Sequence, residues 1–185
     1  DSLGCVQLWR DFPEQLCIET NRMIIAYDRH GFGQSDASDT QLSTDFIQQE
    51  AQVAAELLDQ LEISQVIALG HSVGGGMAVS FAAQYPFKCV AVITEAAQAY
   101  IEQKTLDAVS DAKQMFQQPE QLQKLKKYHA EKAQWVLDAW TETWLSPAFR
   151  NWTLDNDLRA LQTKLLAIHG HNDEYGSLAQ PERLA

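Results

Sequence analysis

Ser72 stands in Gly70-His71-Ser72-Val73-Gly74, with two further glycines, Gly75 and Gly76, behind it. A serine hydroxyl becomes a useful nucleophile when it stands clear of the backbone and a base can take its proton. Glycines two residues to either side let the chain pass close to itself, which suits a sharp strand-to-helix turn that presents the side chain at its apex. The apolar run Val66-Ile67-Ala68-Leu69 supplies the strand, and the residues after Gly76 can continue a helix. A dinucleotide loop fits worse, because Gly70-x-Ser72 is not Gly-x-Gly, and no Gly-Lys-Ser/Thr phosphate loop follows. A second chemistry-bearing stretch is His169-Gly170-His171-Asn172-Asp173-Glu174. His169, His171 and Asp173 have the look of metal-ligand spacing, but Glu174 rather than a further His follows Asp173.

The elements that must position these groups alternate. Met23–Tyr27 is a short apolar run read as a buried strand, ended by the turn-forming stretch Asp28-Arg29-His30-Gly31-Phe32-Gly33-Gln34-Ser35. Before it, Val6, Leu8, Trp9, Phe12, Leu16 and Ile18 are spaced for an amphipathic helix laid on the sheet, Pro13 notwithstanding. Ser43-Thr44-Asp45 can cap a helix whose apolar stripe runs from Phe46 to Leu61. After the serine, a helix is predicted to end near Tyr85-Pro86, then a strand at Cys89–Ile93, and a last strand at Lys164–Ile168. Strands alternating with helices imply a mostly parallel sheet with flanking helices, an α/β class, in which ligands gather at the carboxyl ends of the strands. Ser72, the Asp28 loop and Thr94-Glu95 should therefore meet at one edge. From about Ala96 to Leu161 Gln, Lys, Glu and Trp replace the β-branched runs, which reads as a helical insertion.

Composition narrows the function classes. With 185 residues and 45% hydrophobic content the chain suits one soluble, globular domain. A formal net charge of −11 with scattered basic residues disfavours nucleic acid and anionic membrane surfaces as partners. No apolar stretch reaches membrane-spanning length. Three cysteines, Cys5, Cys17 and Cys89, are too few for a disulfide framework and point to a cytoplasmic setting.

With these motifs the chain resembles the cap-bearing serine hydrolases of the α/β-hydrolase superfamily. The resemblance rests on the turn around Ser72, on Asp28, Gly31, Gly33 and Ser35 matching Asp-x-x-Gly-x-Gly-x-Ser, and on Gly170-His171-Asn172-Asp173 matching Gly-x-x-Asp. It implies a core at residues 1–95 and 162–185 and a helical cap at 96–161, with a fold truncated at both ends and the catalytic histidine outside the chain. It implies Ser72 as nucleophile and Asp173 as triad acid, with Glu174 and Glu95 as fallbacks. The oxyanion would meet the N–H of Val73 and a second donor at Ser2, with Leu3 the runner-up. Trp135, Trp140 and Trp144, with Phe149 and Trp152, would lie near an apolar substrate pocket, although gluing cap to core explains any one of them equally well. The implied reaction is hydrolysis of an ester or related carbonyl bond in a small, partly apolar molecule, without cofactor or metal. A non-catalytic binding relative, a carbon–carbon bond hydrolase and a cofactor-free haloperoxidase are the alternatives on the same frame.

Overall fold

The computed structural model describes residues 1–185. Three strands, β1 (Val66–His71), β2 (Cys89–Glu95) and β3 (Lys164–Ile168), form one sheet in chain order, every pair parallel. Between β1 and β2 runs α3 (Val73–Gln84), apolar on nearly all sides, with Val73, Gly75, Gly76, Ala78, Val79, Ser80, Phe81 and Ala82 buried. It packs on β1 and β2 and is flanked by α2 (Phe46–Gln60), whose Ile47, Ala51, Ala55 and Leu58 make the buried stripe that the sequence spacing predicts. Ile47 and Leu58 each contribute roughly 1.5–3 kcal/mol on burial, so this stripe outweighs the missing cap. Asp45 is indeed the residue before α2, but its side chain bonds Gln49 rather than a free helix N–H.

The sheet is covered unequally. Across the strands, Ala68, Val92 and Leu165 form one row and Gly70, Thr94 and Ala167 the next, on the face beneath α3. The opposite face carries Ile67, Leu69, Ile93, Leu166 and Ile168, of which Ile67, Leu166 and Ile168 are exposed. A parallel sheet normally buries both faces, so this one presents an open apolar surface.

Two sequence expectations fail here for related reasons. Met23–Tyr27 forms no strand, because no neighbouring backbone pairs with it, and Met23 is 72% exposed. A strand exists only through its ladder, so apolar character alone cannot make one. The predicted N-terminal helix does form, as a 3₁₀ turn at Val6–Trp9 and α1 (Phe12–Thr20) with Pro13 in its first turn, where a missing N–H costs nothing. It does not lie on the sheet: none of its residues is buried, and Phe12 and Ile18 face solvent.

The stretch between β2 and β3 is helical, as expected: α4 (Gln103–Met115), α5 (Pro119–His129), α6 (Ala133–Leu145) and α7 (Asp155–Ala160). α4 and α5 both pack on α6, while α7 returns to lie against α3. The chain closes with α8 (Ala179–Leu184), whose Gln180 is fully buried; its Oε1 accepts from Ala99 N–H at 2.7 Å and its Nε2 donates to the Tyr100 carbonyl at 3.2 Å. No helix is long and apolar enough to cross a membrane.

Candidate active site

Ser72 joins β1 to α3 with φ 55° and ψ −126°, backbone territory that non-glycine residues occupy only when the surroundings impose it. The imposition is visible. Its N–H donates to the Glu95 carbonyl at 2.8 Å, and its own carbonyl accepts from Gly75 N–H at 2.9 Å. Gly70 and Gly75 are needed for clearance: a Cβ on Gly70 would lie 2.0 Å from the Gly74 carbonyl oxygen, and one on Gly75 would lie 2.5 Å from the Ala97 Cβ. The Ser72 side chain is half-buried, and its Oγ makes no hydrogen bond within the chain. Val73 opens α3, so its N–H has no intrahelical acceptor and is free to meet a ligand oxygen.

The Asp1–Gly4 turn abuts this apex. The Asp1 nitrogen donates to the His71 carbonyl at 2.7 Å, and Gly4 N–H closes the turn on the Asp1 carbonyl at 3.2 Å. Leu3 N–H is taken by the Asp1 carboxylate at 3.0 Å, whereas the N–H of buried Ser2 makes no bond inside the chain. His71 itself is held below the usual histidine range by burial, against the pull of Glu95 and Asp173.

The Asp28 loop is a structural scaffold. The two Asp28 carboxylate oxygens accept from Val6 N–H at 2.6 Å and Gln34 N–H at 2.7 Å, and its carbonyl accepts from Ser35 Oγ at 2.6 Å. Gly33, at φ 49°, leaves that carboxylate its room, and Gly31, at φ 86°, lies where a side chain would strike the Trp135 ring. Arg29 stacks over Phe32, its guanidinium carbon 3.8 Å from the ring centre, beside Glu50 at 4.0 Å.

Asp173 lies in the loop after β3. Its Oδ1 accepts from the N–H groups of Tyr175 at 2.8 Å and Gly176 at 2.7 Å, which leaves Oδ2 without a partner. Helix α4 holds this loop from outside: Lys104 Nζ donates to the Asp173 and Gly176 carbonyls at 2.5 and 3.1 Å, and Thr105 Oγ1 to the Tyr175 carbonyl at 2.7 Å. Glu102, just before α4, accepts from Ser177 N–H at 2.8 Å and Ser177 Oγ at 2.6 Å. Burial works against the Glu102 charge, but bonds from Ser177, Gln180 and Tyr100 prevail and hold its carboxyl below the usual range. His171 and Glu174 are exposed, His169 is half-buried, and no group of three His, Cys, Asp or Glu side chains is arranged as a metal-ligand set.

The predicted pocket aromatics are engaged in packing. Trp135 donates its Nε1–H to the Thr40 carbonyl at 3.1 Å and meets Phe32 edge-on. Trp144 donates to Gln98 Oε1 at 3.2 Å and packs between Phe46 and Phe149. Trp152 stacks on Phe149. Trp140 meets Tyr175 of the acid loop, with ring centres 5.9 Å apart. Sequence reading missed Glu102, Lys104, Gln180 and the fully buried His129, because each acts through carbonyls and amides 69 or more residues away and leaves no local signature.

Comparison with known proteins agrees with this geometry. Residues 4–184 match the family model described as the alpha/beta hydrolase fold. Serine hydrolase BPHL of Mus musculus is 33% identical over 96 residues, and its Homo sapiens counterpart 33% over 93. Those matches cover 51% and 49% of this chain but span only 33% and 32% of the length of the relatives. Among solved structures, MGS-M2, an alpha/beta hydrolase enzyme from a Medee basin deep-sea metagenome library, superposes with a TM-score of 0.77 at 16% identity, covering 99% of this chain and 73% of that one. Est816, described as an N-acyl homoserine lactone degrading enzyme, gives 0.73 at 19% identity over 99% of this chain and 76% of that one. The enol-lactonase from Burkholderia xenovorans LB400 gives 0.70 at 20% identity, covering 100% and 75%. The three-stranded parallel sheet, the serine turn between β1 and α3 and the match over residues 4–184 together place the chain in the α/β-hydrolase fold family.

Proposed function

We propose that this chain carries the nucleophile and the acid of a serine hydrolase that cleaves an ester or related carbonyl bond in a small, partly apolar molecule. The observation that carries the reading is Ser72: a strained apex residue whose Oγ is left without a hydrogen bond at the start of a helix. Strain of this kind, of order 1–3 kcal/mol, persists where the surroundings over-determine it, and it clusters at reacting groups.

In the reaction, Ser72 Oγ attacks the carbonyl carbon while a histidine outside this chain takes the hydroxyl proton. The carbonyl oxygen gains negative charge and is met by the N–H groups of Val73 and Ser2; the bond already made by Leu3 N–H favours Ser2 over Leu3. Asp173 orients the histidine through its free Oδ2 and stabilises the imidazolium; Glu95 and Glu174, both exposed, offer no such held carboxylate. The intermediate collapses by expelling the alcohol, which takes the proton from the imidazolium. Water then repeats the sequence on the acyl-serine.

The division into a core at 1–95 and 162–185 with a cap at 96–161 belongs to the same reading. Mutual packing of α4, α5 and α6 supports it, and the return of α7 to α3 makes its last helix the joint to the core. Three free thiols, at Cys5, Cys17 and Cys89, fit a reducing cytoplasm. The test is labelling with a serine-directed fluorophosphonate and turnover of p-nitrophenyl esters in the full-length protein. Labelling at Ser72, and loss of turnover in Ser72→Ala and Asp173→Asn, are expected; unchanged turnover in Ser72→Ala overturns the mechanism.

A further inference from the structure

His129 ends α5, is fully buried, and takes no part in the chemistry above. Its Nδ1 accepts from Gly33 N–H at 2.9 Å, and its Nε2 lies 3.0 Å from the Leu3 carbonyl oxygen. A carbonyl can only accept and an N–H can only donate, so the two partners together select the neutral imidazole with its proton on Nε2. Burial opposes a second proton first of all, and the Lys132 and Arg29 charges add to it, against the Leu3 carbonyl and Asp28.

The two bonds differ in how far they are backed up. The Gly33 loop has a second clamp from the same region, because Lys132 Nζ donates to the Phe32, Gly33 and Ser35 carbonyls. Within residues 1–185, apart from its internal bonds and the Asp1 contact with His71, the Asp1–Gly4 turn is hydrogen-bonded by one side chain, His129. This is the turn that abuts Ser72 and Val73.

We propose that His129 is a positioning residue of the reaction: its Nε2–H holds the Leu3 carbonyl and thereby fixes the Asp1–Gly4 turn beside the developing oxyanion, coupling the helical insertion to the reacting centre. The proposal rests on the serine-hydrolase reading. Its energetic logic is that a donor must already point at the place where charge appears, so a loosened turn costs transition-state stabilisation without altering the hold on the resting substrate.

Two variants split the imidazole into halves. In His129→Asn the amide oxygen can replace Nδ1 and keep Gly33, but nothing reaches Leu3. In His129→Gln the amide nitrogen can replace Nε2 and keep Leu3. In the full-length protein, His129→Asn is expected to lower kcat for p-nitrophenyl esters by roughly 10- to 100-fold with KM nearly unchanged, somewhat less than loss of an oxyanion donor itself. Affinity for a boronic acid, which mimics the tetrahedral species, should fall in parallel, and His129→Gln should keep most of both. Equal losses in the two variants, or a change in KM alone, would reduce His129 to packing and overturn the proposal. If His129→Asn does not fold, Lys132→Met decides: it loosens only the 32–35 loop and should leave kcat unchanged, and a kcat loss of about 10-fold or more in it overturns the role given to Leu3. Fluorophosphonate labelling separates the two levels, since an unlabelled wild type sinks the reaction, whereas a labelled wild type with indistinguishable Asn and Gln variants sinks only His129.

Discussion

The serine turn and the acid loop both lie at the carboxyl ends of strands in one sheet, yet they are held by different means. Around Ser72 the fixing contacts are backbone to backbone: its N–H meets the Glu95 carbonyl, and Gly70 and Gly75 keep strand and helix in near-contact. Around Asp173 the fixing contacts come from side chains of a distant segment, with Glu102, Lys104 and Thr105 reaching the loop's amides and carbonyls. A backbone-held turn tolerates no added atom but is indifferent to most side chains. A loop held by side chains is the reverse, and it inherits the mobility and the pH response of its holders.

Substitutions can break or sharpen this contrast. The largest effect is expected at Ser72→Ala in the full-length protein, where ester turnover should fall by about 10⁴-fold or more with the fold intact, as measured by steady-state kinetics and circular dichroism. Next comes Gly70→Ala, in which the new methyl has no room against the Gly74 carbonyl. Denaturant unfolding should show a loss of roughly 3 kcal/mol, and a neutral result would refute the backbone-held account. Lys104→Met should act on the acid loop alone, lowering kcat by roughly 10-fold with about 1 kcal/mol lost in stability, because two carbonyls lose their donor. Ser72→Gly should go the other way in stability, gaining about 1 kcal/mol as the positive-φ strain is relieved while activity disappears.

A pH series completes the comparison. The folded-state pKa of Glu102 is depressed, so its contribution is present above the ordinary glutamate value of about 4.3 and is lost as pH falls through the lower folded value. The stability advantage of wild type over Glu102→Gln should therefore shrink as the solution is acidified below about pH 4. An advantage that stays constant, followed by urea unfolding, would show that Glu102 does not hold Ser177 through its charge.

The same contrast explains what could be read in advance. Ser72 and its strand and helix were legible because glycine spacing is a local code for a local geometry. The strands at 66–71, 89–95 and 164–168 were legible as apolar runs between helical segments, and their helices as stripes. Met23–Tyr27 was misread because pairing is non-local: the residues suit a strand, and no neighbour supplies the ladder. The N-terminal helix was misplaced because periodicity says which residues share a side and not whether anything lies against it. His129 looked like one more residue of the insertion; its burial and its two bonds connect residues 3, 33 and 129, a triangle that no sequence window contains.

The open face of the sheet has a colloidal consequence. Ile67, Leu166 and Ile168 present an apolar plane on a molecule whose net charge is −11, so separate copies of the 185-residue chain are kept apart by mutual repulsion while that plane favours their contact. The repulsion reaches only about 8 Å at physiological ionic strength and about 3 Å at 1 M salt, whereas the attraction is not screened. Solutions of this chain should therefore salt out early, scattering more light as sodium chloride is raised at constant pH.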